Sequence, residues 1–192
     1  MSNHIDFYFD IISPYAYIAH KKILKHKNII FNYKPIYLGG LHKLAEIESP
    51  AFNKYKLRNN INDCNLVSEK NNIEFKWNSN FPINSLNIMR GYICVNEDRR
   101  KDYLDCFFDA YWKDNKDLSN IENISKLLSD LKIDSENFFK SIKRQYIKDQ
   151  LIKLTADAFQ KKVFGTPTFI INNKIFWGQD RLEYALEEVN NN

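Results

Sequence analysis

The chain is short of the residues that usually announce chemistry. Its 192 residues include only 3 cysteines, Cys64, Cys94 and Cys106. None belongs to a Cys-x-x-Cys pair, which excludes an internal dithiol redox motif, and an odd, scattered set fits a reducing compartment better than a disulfide framework. The 4 histidines, His4, His20, His26 and His42, show no metal-ligand spacing and no thiol or acidic cluster beside them, so no metal centre is expected. No apolar run approaches the ~20 residues needed to cross a bilayer. The opening Met-Ser-Asn-His-Ile-Asp lacks a basic region followed by an apolar stretch, so no secretory signal is expected and the cytoplasm is the default compartment. The formal charge of +4 comes from 28 Lys and Arg against 24 Asp and Glu. Its longest basic run is Arg99-Arg100-Lys101, which assembles no patch for nucleic acid.

What the chain does have is apolar and aromatic mass. Hydrophobic residues make up 44%, with 14 Phe and 11 Tyr, and disorder would require the opposite. The length suits one domain burying roughly 70% of its unfolded surface.

Residues 5–12 are aromatic and β-branched with few charges, the pattern of a strand buried on both faces. Ser13-Pro14 then reads as N-cap and first helical residue, because a serine oxygen accepts an orphan backbone N–H and proline has none to waste. The spacing predicts a helix to about Lys27, with Tyr15, Ile18, Ala19 and Ile23 on one face, and a second strand over 29–35. A right-handed β-α-β unit follows. From about 42 to 160 the period is helical. Examples are Tyr103, Leu104, Phe107, Phe108, Tyr111 and Trp112; then Ile121, Ile124, Leu128 and Leu131; then Phe138, Ile142 and Tyr146. The aromatic row at 103–112 is expected to be packing core, and Asn115-Lys116-Asp117 and Lys132-Ile133-Asp134 to be turns. Residues 168–172 and 174–177 flank Asn172-Asn173 as a hairpin, and a last helix carries Leu182, Ala185, Leu186 and Val189. This order describes an α/β chain: a thioredoxin-like fold (about 1–41 and 161–192) with a large inserted α-helical subdomain (about 42–160).

Six segments carry a resemblance: Tyr8-Phe9-Asp10, Ser13-Pro14-Tyr15-Ala16-Tyr17, Leu38-Gly39-Gly40-Leu41, Phe81-Pro82-Ile83-Asn84-Ser85-Leu86, Phe164-Gly165-Thr166-Pro167-Thr168-Phe169 and Phe176-Trp177-Gly178-Gln179-Asp180-Arg181-Leu182. In this order and spacing the chain resembles the 2-hydroxychromene-2-carboxylate isomerase family. That family groups with kappa-class glutathione transferases and periplasmic disulfide oxidoreductases. The resemblance implies glutathione as cosubstrate, a small aromatic-derived electrophile as partner, and a homodimer.

It also implies roles. Ser13, where a redox relative has cysteine, would stabilise the thiolate of bound glutathione at the helix N-terminus; read alone, it is simply an N-cap. Thr166-Pro167 would be a cis step pairing with the cysteinyl backbone, or else a turn leading into a strand. In Gly178-Gln179-Asp180-Arg181, Asp180 would take the γ-glutamyl amino group and main-chain donors its carboxylate; alternatively the acid complements a helix start and Arg181 forms a surface ion pair. Lys56, seven residues before Asp63, would face the glycyl end, or be a solvated helix lysine. Tyr15, Phe81 and Asn84 would line the electrophile pocket, with Asn84 equally suited to N-cap the next helix. One segment departs: Glu46-Ile47-Glu48-Ser49-Pro50 stands where the family usually has Gly-Asn ahead of proline, and its two carboxylates would oppose an anionic ligand.

Three functions follow. A glutathione-dependent isomerase leads. A kappa-like glutathione transferase differs only in releasing the adduct, and a non-catalytic thiol-binding module is the alternative from another class. Disulfide exchange ranks last because Ser13 and Ala16 occupy both positions of a dithiol motif.

Overall fold

Alternation in the first strand decides the layering. In a computed structural model, which describes residues 4–190, β1 (His4–Phe9) points Ile5, Phe7 and Phe9 into the main core and Tyr8 into a smaller cluster with Ile36, Leu41, Ala158 and Val163. The sheet is therefore covered on both faces, as an apolar strand requires. The strand stops at Phe9, three residues before the apolar run ends. Asp10 leaves the ladder there, and its carboxylate takes the Ile12 N–H at 3.2 Å.

Helix α1 (Pro14–Ile23) follows, capped by Ser13 through the Ala16 N–H. It ends four residues before the expected Lys27, the chain turning through hydrogen bonds from the Lys25 and His26 N–H groups to Lys22 and Ile23. Strand β2 (Ile30–Pro35) returns parallel to β1, with Phe9 opposite Pro35. Helix α2 (Leu38–Leu44) packs on the far face, and α3 (Lys54–Lys70) crosses near α1.

The remaining insert is helical: α4 (Leu86–Cys94), α5 (Arg100–Trp112), α6 (Ile121–Asp130), α7 (Ser135–Ser141) and α8 (Gln145–Gln160). Helix α5 buries Tyr103, Phe107, Phe108, Tyr111 and Trp112 completely, so its aromatic row is core. Phe75 stacks on Trp112 with centroids 5.7 Å apart, within the range that favours aromatic pairs. The turns at Asn115 and Lys132 have φ of 56° and 55°. Two periodic expectations fail locally. Phe138 and Tyr146 belong to separate helices, α7 and α8, and Tyr146 and Ile121 are exposed. A bend after Ile142 breaks the spacing that sequence reads as continuous.

The chain closes with β3 (Thr168–Ile171), β4 (Lys174–Trp177) and α9 (Leu182–Asn190). Asn172 and Asn173 take φ of 50° and 60°, the left-handed pair a tight hairpin needs. Sheet order is β2-β1-β3-β4, with β3 antiparallel to both neighbours. The architecture is the thioredoxin-like α/β fold with helices inserted between β2 and β3. Among the described residues, no helix is long and apolar enough to cross a membrane.

Candidate active site

Register collects the site. Tyr8 lies opposite Thr168, Thr168 opposite Trp177, and Phe9 opposite Pro35. The segments after β1, after β2, before β3 and after β4 consequently meet at one end of the sheet. These segments carry Ser13, Leu38, Thr166-Pro167 and Gly178 to Arg181.

Ser13 is buried, 4% exposed. Its Oγ accepts from the Ala16 N–H at 3.2 Å and donates to the Thr166 carbonyl at 3.0 Å. The first bond is the N-cap; the second reaches across 153 residues to the segment before β3. The Thr166-Pro167 peptide is cis, as the resemblance implies, and Phe81-Pro82 is cis too, which sequence reading left out. The Thr166 hydroxyl is buried without a hydrogen-bond partner among the described residues. Gly178 has φ of 111°, a conformation that penalises any side chain, and its N–H donates to the Pro167 carbonyl at 3.0 Å. A Cβ there would stand 2.6 Å from Asp180 Oδ1.

The other expected residues divide. Gln179 is buried, its Oε1 accepting from Lys22 Nζ at 2.6 Å, so its side chain is engaged within the protein. Asp180 is exposed and 3.4 Å from the Arg181 guanidinium, which also lies over the Tyr184 ring; here the surface ion pair is present. Lys56 is exposed on α3, on one face with Asn60 and Asp63, and the half-buried Tyr15 reaches Asn60 with its hydroxyl at 3.5 Å. That face of α3 therefore borders the first turn of α1. Phe81 packs on Trp77 and Trp112. Asn84 is exposed; Ser85 holds the N-cap position of α4, and Asn84 Oδ1 accepts from the Leu86 N–H at 3.0 Å. Asn84 also lines a cavity of about 490 Å³ with Leu86, Ile88, Leu118, Ile124 and Lys143, and Ser13 is not among its lining residues. Glu46 and Glu48 are exposed, with Glu46 at φ 53°.

The protein's own thiols are poor nucleophiles. Burial pushes Cys94 and Cys106 up to about 11 and Cys64 higher still.

Sequence reading missed Asp10. It is fully buried beneath the Ser13 turn, whose N–H donates to the Asp10 carbonyl at 3.0 Å. Its Oδ2 accepts from the Leu38 N–H at 2.8 Å and from Ser85 Oγ at 3.0 Å. Burial pushes its pKa up to about 6, opposed by hydrogen bonds from Leu38, Ser85, Ile12 and Ile11. The available signal was an acid at the end of an aromatic, apolar strand, three residues ahead of the Ser13 cap.

The comparisons agree with this architecture. A family model described as a DSBA-like thioredoxin domain matches residues 4–190. A 2-hydroxychromene-2-carboxylate isomerase of Sphingobium xenophagum is 23% identical over 189 residues, covering 96% of each chain. A protein of the same name from Pseudomonas sp. (strain C18) is 28% identical, over 96% of this chain and 89% of that one. The solved structure of a 2-hydroxychromene-2-carboxylate isomerase superposes with a TM-score of 0.88 at 23% identity, over 98% of this chain and 95% of the other. With its strands in thioredoxin order, its cis-proline beside the first helix and its whole described length matched by that family model, the chain belongs to the DSBA-like thioredoxin domain family.

Proposed function

We propose that the protein is a glutathione-dependent isomerase of the 2-hydroxychromene-2-carboxylate isomerase type, acting on an aromatic-derived unsaturated oxo acid. One observation carries the reading: a buried serine hydroxyl, at the start of α1, hydrogen-bonds the residue before the cis-proline. A dithiol enzyme would hold its own sulfur at that place. Relatives bearing the isomerase name along almost their whole length support the same reading.

The chemistry is nucleophilic catalysis with a borrowed nucleophile. The Thr166 carbonyl would accept the cysteinyl N–H of glutathione, and the Ser13 hydroxyl, released from that carbonyl, would turn and donate to the sulfur. The N-terminal dipole of α1 favours the same negative charge. Bound there, glutathione would supply a thiolate for reversible addition to an electron-poor conjugated carbon of the oxo acid, letting the former double bond rotate before elimination, so that glutathione would not be consumed. Asp180, once released from Arg181, takes the α-amino group; Lys56 faces the glycyl carboxylate; Tyr15, Phe81 and Asn84 face the electrophile. A homodimer belongs to this proposal.

Calorimetric titration with glutathione, with ultraviolet thiolate absorbance on the same samples, tests it in wild type and Ser13→Ala. Saturable binding with a thiolate signal lost in the variant is the expected result, followed by turnover of a chromene carboxylate. Absence of binding would sink the reading and favour a non-catalytic module, for which the Asp180–Arg181 pair is the specific observation. Release of a stable conjugate would instead make it a kappa-like transferase.

A further inference from the structure

We propose that Asp10 is a positioning residue of the site: its single carboxylate holds the Ser13 turn, the first turn of α2 and the Asn84-Ser85 loop in mutual register, and gaining a proton loosens all three. The inference concerns the assembly of the site and stands whether or not glutathione is the ligand.

The geometry is that of a hub. Three segments distant in sequence converge on one side chain, through the Ile12 N–H, the Leu38 N–H and the Ser85 hydroxyl. A fourth bond, from the Ser13 N–H to the Asp10 carbonyl, fixes the same residue to the turn that aims the serine. These side-chain partners, with the Ile11 N–H beside them, are all uncharged donors. An ionised carboxylate accepts from every one; a protonated carboxyl must present one O–H to a backbone N–H or turn the Ser85 hydroxyl around. Since backbone N–H groups cannot reverse, the added proton either displaces one of them or forces the Ser85 hydroxyl to give up donating and accept instead.

The surroundings offer little compensation. From the start of α2, Tyr37 couples electrostatically to Asp10, and Arg90 of α4 couples to that same phenol. From α8, the Thr155 hydroxyl accepts from the Tyr37 N–H at 3.0 Å and donates to the Leu151 carbonyl at 2.8 Å, and from α5 the Trp112 indole N–H goes to the Ile11 carbonyl at 2.8 Å. The raised affinity of Asp10 for its proton, which burial causes, brings the loosening within reach of mildly acidic conditions.

The test is an NMR pH titration of the full chain, following the amides of Ser13, Leu38 and Ser85 together with hydrogen exchange of the Ala16 amide, which reports the Ser13 cap. In wild type the three amides should share one midpoint near pH 6, with Ala16 protection falling severalfold below it after correction for intrinsic exchange. Asp10→Asn should abolish the shared transition. Ser85→Ala keeps the acid but removes one donor to its charged form, and should move the midpoint up by about half a unit to one unit. Independent midpoints in wild type, a transition that survives Asp10→Asn, or an unmoved midpoint in Ser85→Ala would each overturn the proposal. Glutathione titration by calorimetry at pH 7.5 separates this from the proposed function: failure to bind there with the shared transition intact removes the isomerase reading alone.

Discussion

Helix α1 is gripped at two points by buried titratable groups, and the two are built in opposite ways. At its start, Asp10 faces only neutral donors and its pKa rises. In its middle, His20 is wholly buried, flanked by Tyr33 at 2.9 Å on Nδ1 and by Asp105 on Nε2, and stacked on Phe108. Burial lowers the His20 pKa, so the ring is neutral, its Nε2–H donating to Asp105 while Nδ1 accepts from the Tyr33 hydroxyl. Although burial acts to raise Asp105, the His20 hydrogen bond and nearby positive charge hold it below its ordinary value. The middle grip satisfies each group in its resting state and ties α1 to α5 and β2. The first grip holds a charge that has no ion-pair partner among the described residues, next to the candidate nucleophile site. Such an arrangement costs stability, and the difference separates a packing device from a positioning one.

The largest expected effect falls on the site itself. Ser13→Ala should reduce glutathione-dependent turnover by about 10²–10³-fold, the loss typical of one oxyanion donor. A kcat that survives would remove Ser13 from the chemistry and leave it an N-cap worth about 1 kcal/mol.

Next comes the pH dependence of stability at the first grip. Asp10 has a folded pKa raised above its unfolded value, so its contribution is present below about pH 4 and is lost as pH rises through about 6. Urea denaturation at about pH 4.5 and pH 7.5 should show wild type losing about 2–3 kcal/mol relative to Asp10→Asn on going up. A pH-independent difference between the two proteins would erase the contrast with His20.

His20→Phe keeps the stack on Phe108 but strands the Tyr33 hydroxyl, and should cost about 1–3 kcal/mol in chemical denaturation. Glutathione affinity should not change. If it collapses, the middle grip is functional as well. Smallest of all, Lys153→Ala removes an exposed i,i+4 pair with Asp157 and should shift stability by about 0.3–0.5 kcal/mol, calibrating what a surface charge is worth here.

Local signals were legible and distant ones were not. Ser13-Pro14 declares a helix start because the cap bond spans three residues, and Asn172-Asn173 declares a hairpin because only two residues must accept positive φ. The aromatic row at 103–112 reads as core for the same reason: helical period is a nearest-turn property. Phe138, Ile142 and Tyr146 share that period yet divide between two helices, since the bend that separates them leaves the spacing intact. Gln179 lay in a motif whose resemblance implies a ligand, but its side chain is taken by Lys22, 157 residues away.

By itself, the sequence determined the order of strands and helices, the serine in place of a thiol, and the absence of a dithiol motif, because these depend on residue identity and short-range backbone preference. Only the tertiary structure decided that Ser13 donates to Thr166 across 153 residues and that Asp10 gathers Leu38 from 28 residues away and Ser85 from 75. Those bonds follow from strand register and from burial, which raises the worth of each donor by excluding water, and neither quantity is written in any local stretch of the chain.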